Sequence, residues 1–227
     1  MNRQEVRARI EQIGIVPAAR VSTADDARFA AETVSSGGIP IIEINLTVPG
    51  AIELIADLVK RMPGTIVGAG GVMDPEIARR CSDAGVAFLT SDGLDVRVVE
   101  FAIERGMVIL PGALTPTEVA RAWRTGPDFV KVFPCVQVGG DSYIRALRKS
   151  FPEIPLIASG GVNQLNALNY ILSGATALGV GSELIPREAI KLRQEHRIHE
   201  LERRFISFVN NGRLQAQARS DPTYPRT

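Results

Sequence analysis

The chain is poor in the residues that build redox and metal chemistry. Of 227 residues only two are cysteine and two are histidine. Cys81 and Cys135 lie far apart in apolar surroundings, which argues against a disulfide framework, and two cysteines cannot supply a zinc site. His196 and His199 both fall in a charged stretch near the end and read as surface residues of a last helix. Charge of one sign is also lacking. The formal net charge of +1 gives no electrostatic pull toward nucleic acid or a membrane surface. No apolar run approaches the roughly 20 residues that a membrane span needs, and Met1 to Gln12 is charged and helix-like rather than a signal peptide. The expectation is a cytoplasmic protein with no nucleic-acid or membrane partner.

What is present is a repeating unit. From residue 13 onward a short β-branched apolar run is followed by a turn rich in Gly, Ser, Thr, Asp or Pro, then by an amphipathic segment ending near a glycine. Strands are expected over Ile13 to Arg20, Ile39 to Leu46, Thr65 to Gly70, Ala87 to Ser91, Val108 to Leu114, Phe129 to Pro134, Pro155 to Gly160 and Ala177 to Gly181. Helices are expected between them, with starts marked by Thr23, by Pro49, by Asp74-Pro75 and by a capping box from Thr115 to Glu118. The helix after the seventh strand is placed from Asn163 to Gly174, and a last helix runs from about Arg187 to Val209. Alternating strands and helices imply a parallel sheet, and eight repeats in this length imply an α/β fold, a single closed (β/α)8 TIM barrel. A doubly wound open sheet is the rival architecture. The expected domain runs over 1–212, with an N-terminal helix and an extended C-terminal helix, and 213–227 is a polar, flexible tail.

The strand Phe129-Val130-Lys131-Val132-Phe133 has one anomaly. Alternation puts Phe129, Lys131 and Phe133 on one face and the valines on the other. A lysine is seldom fully buried unless it is paired or working, because desolvating an ammonium costs several kcal/mol. A desolvated lysine that loses its proton is a nucleophile toward carbonyls; an edge lysine that snorkels to solvent is the bland alternative. In Ile41-Ile42-Glu43-Ile44-Asn45-Leu46 the isoleucines and leucine suit the helix layer, so Glu43 points into the barrel. Lys131 and Glu43 then meet at the C-terminal mouth, either as catalytic groups or as a plain buried ion pair. The seventh and eighth strands end in Ser159-Gly160-Gly161 and Gly179-Val180-Gly181-Ser182. Glycines there let backbone N–H groups approach an anion, and helical patterns follow both. This points to a phosphorylated ligand. Arg20, ending the first strand, is either an anion-binding fork or a rim residue.

With these residues placed, the chain resembles the 2-keto-3-deoxy-6-phosphogluconate (KDPG) / 4-hydroxy-2-oxoglutarate (KHG) aldolase family from about Ile13 to Pro186. The resemblance rests on Ile42-Glu43-Ile44 with Thr47-Val48-Pro49, Gly68-Ala69-Gly70, Ser91 with Gly93, and Leu110-Pro111-Gly112. It continues through Thr115-Pro116-Thr117-Glu118, Lys131-Val132-Phe133-Pro134, Ser159-Gly160-Gly161-Val162 and Gly181-Ser182. It implies that Lys131 forms a Schiff base with a keto acid, that Glu43 shuttles protons, and that phosphate lies against Gly160, Gly161 and Ser182. Neither a metal nor an organic cofactor is implied. The remaining candidate substrate contacts are Arg20, Thr47, Gly70, Gly71, Ser91, Phe133, Ser159 and Gly181. The implied partner is a small keto acid, phosphorylated, and the implied assembly is a homotrimer.

Three departures stand out. Thr47 stands where many members carry arginine. The family's G-A-G-T is Gly68-Ala69-Gly70-Gly71, which removes a hydroxyl that would face the pyruvate carboxylate. The usual S-P-G is Ser91-Asp92-Gly93, which places a carboxylate at the mouth, able to repel an anionic substrate and to hold Lys131 as an ammonium ion. Glu183 follows the proposed phosphate contact. Two other functions stay open: a phosphosugar isomerase or epimerase on the same barrel, and a non-catalytic phosphosugar-binding relative.

Overall fold

The backbone sorts into short strands buried on both faces, the condition under which parallel strands read as near-continuous apolar runs. A computed structural model describes residues 1–220; residues 221–227 lie outside the described part. The strands are β1 (Ile15–Ala19), β2 (Ile41–Asn45), β3 (Ile66–Gly70), β4 (Phe88–Thr90), β5 (Val108–Leu110), β6 (Gly112–Ala113), β7 (Val130–Val132), β8 (Leu156–Ser159) and β9 (Ala177–Val180). The helices are α1 (Arg3–Ile13), α2 (Ala24–Ser36), α3 (Ala51–Arg61), α4 (Pro75–Asp83), α5 (Val96–Glu104), α6 (Pro116–Arg124), α7 (Asp141–Ser150), α8 (Ala167–Leu172), α9 (Arg187–Lys191) and α10 (Glu195–Ser220).

The nine strands form one sheet in the order β5-β4-β3-β2-β1-β9-β8-β7-β6, and every neighbouring pair is parallel. The two ends of that order, β5 and β6, are consecutive in the chain and joined at Pro111. They are the expected fifth strand, Val108 to Leu114, interrupted where proline has no N–H to donate. Before the break the chain pairs with β4; after it, Gly112 and Ala113 pair with Lys131 and Val132. The carbonyl of Pro111 still accepts from Lys131 N–H at 2.9 Å. Nine strands therefore fill the eight positions of a nearly closed barrel, as expected, and the open-sheet alternative falls away.

Local chemistry sets the helix ends. The capping box at Thr115 is present, with Glu118 accepting from the N–H groups of Thr115 and Leu114 at 2.8 Å each. Thr23 and Asp74 cap α2 and α4. Pro49 does not start its helix: Gly50, at φ +68°, is the cap and Ala51 the first helical residue. After β8, the Asn163 and Asn166 side chains accept backbone N–H groups and form a turn, so the helix starts at Ala167 rather than Asn163. At the N-terminal end of the barrel α1 buries Val6 and Ile10, and Arg3 pairs with Asp128 at 3.0 Å.

The C-terminal region departs most from expectation. The single helix from Arg187 to Val209 is two helices, α9 and α10, broken around Arg193 with φ +51°. The Arg193 guanidinium pairs with Asp25 and Asp26 in the first turn of α2. Helix α10 then lies against α8 and α2 and continues past residue 212 to Ser220. Arg213 donates to the carbonyls of Gln12 at 2.6 Å and Glu11 at 2.5 Å, so the expected tail begins inside a pinned helix. The rest of that tail, 221–227, is outside the described residues. His196 is exposed as expected, but His199 is half-buried and bonded to the Thr33 carbonyl at 3.0 Å.

Glu202 of α10 is fully buried against Gly37, and neither carboxylate oxygen has a hydrogen-bond partner among the described residues. Burial pushes its carboxyl up to about 8, with Arg203 pulling weakly the other way. A carboxyl raised in the folded state stabilises the fold in its protonated form. Stability is therefore highest below the ordinary carboxylate range and declines as pH rises toward about 8. Glu202→Gln is expected to raise stability by about 2–4 kcal/mol at pH 8 and by far less at pH 4.5, as read by denaturant melts at both values.

Candidate active site

Inward-pointing side chains of the strands converge at the C-terminal mouth. They line a cavity of about 310 Å³ that includes Arg20, Glu43, Thr90, Lys131 and Phe133. Lys131 and Glu43 are 4% and 5% exposed, so the alternation read from the sequence holds and the snorkelling lysine is excluded. Room for the Glu43 carboxylate comes from β3, whose inward residues are glycines. An added Cβ at Gly70 would overlap the Glu43 carboxylate, and one at Gly68 would overlap the Phe88 ring. Phe88 fills the barrel interior, and Thr90, two residues on and on the same face, reaches Glu43. The Thr90 hydroxyl donates to Glu43 Oε2 at 2.9 Å and fixes that carboxylate against one wall.

Lys131 and Glu43 share the cavity, but no hydrogen bond joins them among the described residues. The lysine is paired with Asp92 instead, its Nζ donating to Oδ1 at 2.9 Å. Asp92 also receives Arg20, at 3.3 and 3.4 Å to its two oxygens. Both cations lie near the Phe133 ring, Lys131 Nζ at 5.2 Å from the centroid and Arg20 Cζ at 5.8 Å. Burial alone would raise the Asp92 carboxyl. The charge and hydrogen bond of Lys131, followed by those of Arg20, outweigh it and hold the group below the usual carboxylate range. Asp92 does not itself line the 310 Å³ cavity; it lines a neighbouring one and is tied from there to Lys131 and Arg20, the two cations the sequence had singled out.

At the other end of the cavity lie Ser159, Gly160, Gly161, Gly181 and Ser182. Gly160 and Gly161 both sit at φ +85°, the left-handed region that glycine tolerates. The N–H groups of Gly161 and Ser182 have no acceptor among the described residues, so they are free for an anion. The expected contribution from helix N-termini is not there: the following helices begin only at Ala167 and Arg187, and the donors are the loops themselves. Glu183 also lines the cavity.

Four expected contacts do not line it. Thr47 is turned to Asn45, whose Oδ1 accepts from the Thr47 N–H at 3.1 Å and hydroxyl at 2.8 Å. The Ser91 hydroxyl donates to the Gly93 carbonyl at 2.6 Å and shapes the loop. Gly70 acts by making room for Glu43. Gly71 sits at φ +80° beside Asn45, where a β-branched residue is strained, so its missing hydroxyl goes with a changed backbone and a threonine placed there would not restore a contact. Sequence reasoning missed Thr90, although the Phe88-Leu89-Thr90 alternation carried the signal. Among the described residues no cluster of His, Cys, Asp and Glu is arranged to hold a metal, and no helix is long and apolar enough to cross a membrane.

A buried lysine beside two carboxylates, at the C-terminal mouth of a parallel barrel, defines an enzyme that works on a carbonyl compound through an amine. Comparison with known proteins narrows this. The family model for KDPG and KHG aldolase matches residues 6–201, and the chain belongs to that aldolase family. A probable 2-dehydro-3-deoxy-6-phosphogalactonate aldolase of Rhizobium meliloti is 36% identical over 65% of this chain and 70% of its own length. A 2-dehydro-3-deoxy-phosphogluconate aldolase of Treponema pallidum is 29% identical over 80% of this chain and 86% of its own. The structure of a Legionella pneumophila KDPG aldolase, with pyruvate captured as a covalent carbinolamine, superimposes with a TM-score of 0.80 at 28% identity, covering 86% of this chain and 95% of that one.

If Thr90 holds the Glu43 carboxylate in place, Thr90→Val removes that bond while keeping the buried shape. It is expected to lower aldol-cleavage kcat by about tenfold with KM little changed. Steady-state kinetics beside a melting curve checks this, since a structural effect would appear in both.

Proposed function

We propose that the protein is a lysine-dependent aldolase that cleaves a phosphorylated 2-keto-3-deoxy sugar acid, or a related 4-hydroxy-2-keto acid, to pyruvate and an aldehyde. The observation that carries this reading is a buried Lys131 that shares its cavity with a carboxylate, Glu43, tied to Thr90 and not to the lysine. Nζ of Lys131 attacks the C2 ketone and yields an iminium, an electron sink for the pair released when C3–C4 breaks. Glu43 takes the proton of the C4 hydroxyl, the aldehyde leaves, and the same carboxyl protonates C3 of the enamine. The free N–H groups of Gly161 and Ser182 suit the phosphate at the distal end, and Arg20 suits the keto-acid carboxylate. The names of the relatives support substrates of this class, with the aldehyde being glyceraldehyde 3-phosphate for a KDPG-type substrate or glyoxylate for 4-hydroxy-2-oxoglutarate.

For assembly, the family resemblance supports a homotrimer, which sedimentation velocity tests directly. Two free, buried cysteines fit a reducing compartment such as the cytoplasm.

Borohydride reduction in the presence of pyruvate is expected to trap an adduct on Lys131, located by peptide mass spectrometry. Lys131→Ala is expected to form none. Glu43→Gln is expected to form it still, while losing about 100-fold in cleavage rate. An isomerase or a non-catalytic binding protein would give no adduct, and a sugar phosphate would still raise its melting temperature.

A further inference from the structure

Beside the cavity stands one charged group that the cleavage chemistry above leaves unused, Asp92. Asp92 sits between Lys131 Nζ, at 2.9 Å, and the Arg20 guanidinium, at 3.3 Å. Glu43 is bound to Thr90 on another wall. The Asp92–Lys131 contact is a bond of the ammonium form, and an ammonium has no lone pair with which to attack a carbonyl. A neighbour of Nζ has to remove a proton before the carbon–nitrogen bond can form, and an acid has to protonate the C2 oxygen before water can leave. The carboxylate in hydrogen-bond contact with that nitrogen is Asp92.

Resting on the aldolase reading, we propose that Asp92 is a second catalytic carboxylate, which carries the protons of imine formation and leaves carbon–carbon cleavage to Glu43. Asp92 Oδ1 accepts a proton from the Lys131 ammonium. The Nζ lone pair attacks C2, the new C–N bond forms, and the carbonyl π pair moves to oxygen. The Asp92 carboxyl protonates that alkoxide, then takes a proton from the attached nitrogen, leaving a neutral carbinolamine. It returns this proton to the C2 hydroxyl, the C2–O bond breaks, water departs, and the nitrogen lone pair completes the C=N bond. One ammonium and one ketone have become one iminium and one water. Asp92 is again a carboxylate, facing a cation at the same nitrogen.

The surroundings of Asp92 suit this cycle. The charges that weaken it as a base in the empty site are those of Lys131 and Arg20. The first disappears as Nζ gives up its proton. The second weakens when the Arg20 fork turns to the carboxylate of an arriving keto acid. Asp92 borders a second cavity of about 290 Å³ that Glu118 and Arg121 of α6 also line. Glu118 is occupied by the N–H groups of Leu114 and Thr115. Asp92 is itself partly exposed, at 39% of its side chain, so it can exchange protons with solvent between turnovers.

The test is rapid-quench borohydride trapping of the full chain with pyruvate from about pH 5.5 to about pH 9, paired with deuterium exchange at the pyruvate methyl group read by NMR. Asp92→Asn is expected to form the adduct at least about tenfold more slowly than wild type at pH 7 and to lose the wild-type pH profile. Asp92→Glu is expected to recover much of the rate and the wild-type pH profile. Glu43→Gln is expected to keep the rate of adduct formation and lose the exchange. An Asp92→Asn protein that forms the adduct as fast as wild type, or faster, overturns the proposal and makes Asp92 an ion-pair partner or a brake. If Asp92→Asn melts far below wild type, the Asp92→Glu protein decides: a rate as low as that of Asn also overturns it. No adduct in the wild-type protein would overturn the aldolase reading itself, a result separate from any of these.

Discussion

An ammonium group taken out of water inside an apolar barrel has to be compensated, and the architecture of the mouth follows from how this chain compensates Lys131. Desolvation costs several kcal/mol per ion, which is recovered only with close, well-oriented partners. Here the partner is Asp92, which Lys131 shares with Arg20, and the Phe133 ring lies near both cations. The pair leaves Glu43 free of the lysine, so this buried carboxylate needs its own support and finds it in the Thr90 hydroxyl. Two carboxylates are thereby held by different partners, Asp92 by Lys131 and Arg20, and Glu43 by Thr90. Pairs of titratable groups with separated environments are the usual basis for dividing acid and base work in an active site.

Space is the second constraint. Barrel interiors are normally filled by layers of large side chains, and a cavity exists only where that filling is interrupted. In β3 the inward residues Gly68 and Gly70 yield room to Phe88 and Glu43. Phe88 closes the core below, and the glycine above admits the carboxylate. Gly112 does the same for the backbone of Asp92 and Gly93, letting the loop after β4 approach β6 closely enough for Asp92 to reach Lys131. The functional side chains are held by what their neighbours lack.

Away from the mouth, the C-terminal segment closes the outer wall. The turn at Arg193 is secured by Asp25 and Asp26, which also complement the N-terminal dipole of α2. Past that turn α10 meets α8 at Gly212, where an added Cβ would press on Ile171, and Arg213 ties it back to the end of α1. Glu202 is the exception in this otherwise complementary surface, a buried carboxyl with no hydrogen-bond partner among the described residues.

Much of this was legible in one dimension. Periodicity placed the strands to within a few residues, because buried parallel strands are apolar on both faces and the turns between them carry their own Gly, Pro and Asp signals. Alternation alone sent Lys131 and Glu43 inward, since the period of a strand leaves only two faces to choose from. The glycines after β8 and β9 marked residues that line the cavity, Gly160, Gly161 and Gly181, for the same local reason. What a linear pattern does not hold is distance between strands. That Lys131 would pair with Asp92 rather than Glu43, that Thr90 would hold Glu43, that Thr47 and Ser91 would spend their hydroxyls on their own loops, and that the last helix would break at Arg193 and continue to Ser220 all depend on contacts between residues far apart in the chain or on loop geometry. The sequence by itself determined the barrel and the chemical identity of its inward groups, because local period and turn chemistry suffice for both. Only the tertiary structure decided which charge meets which, because that depends on where closure of the barrel brings the strand ends.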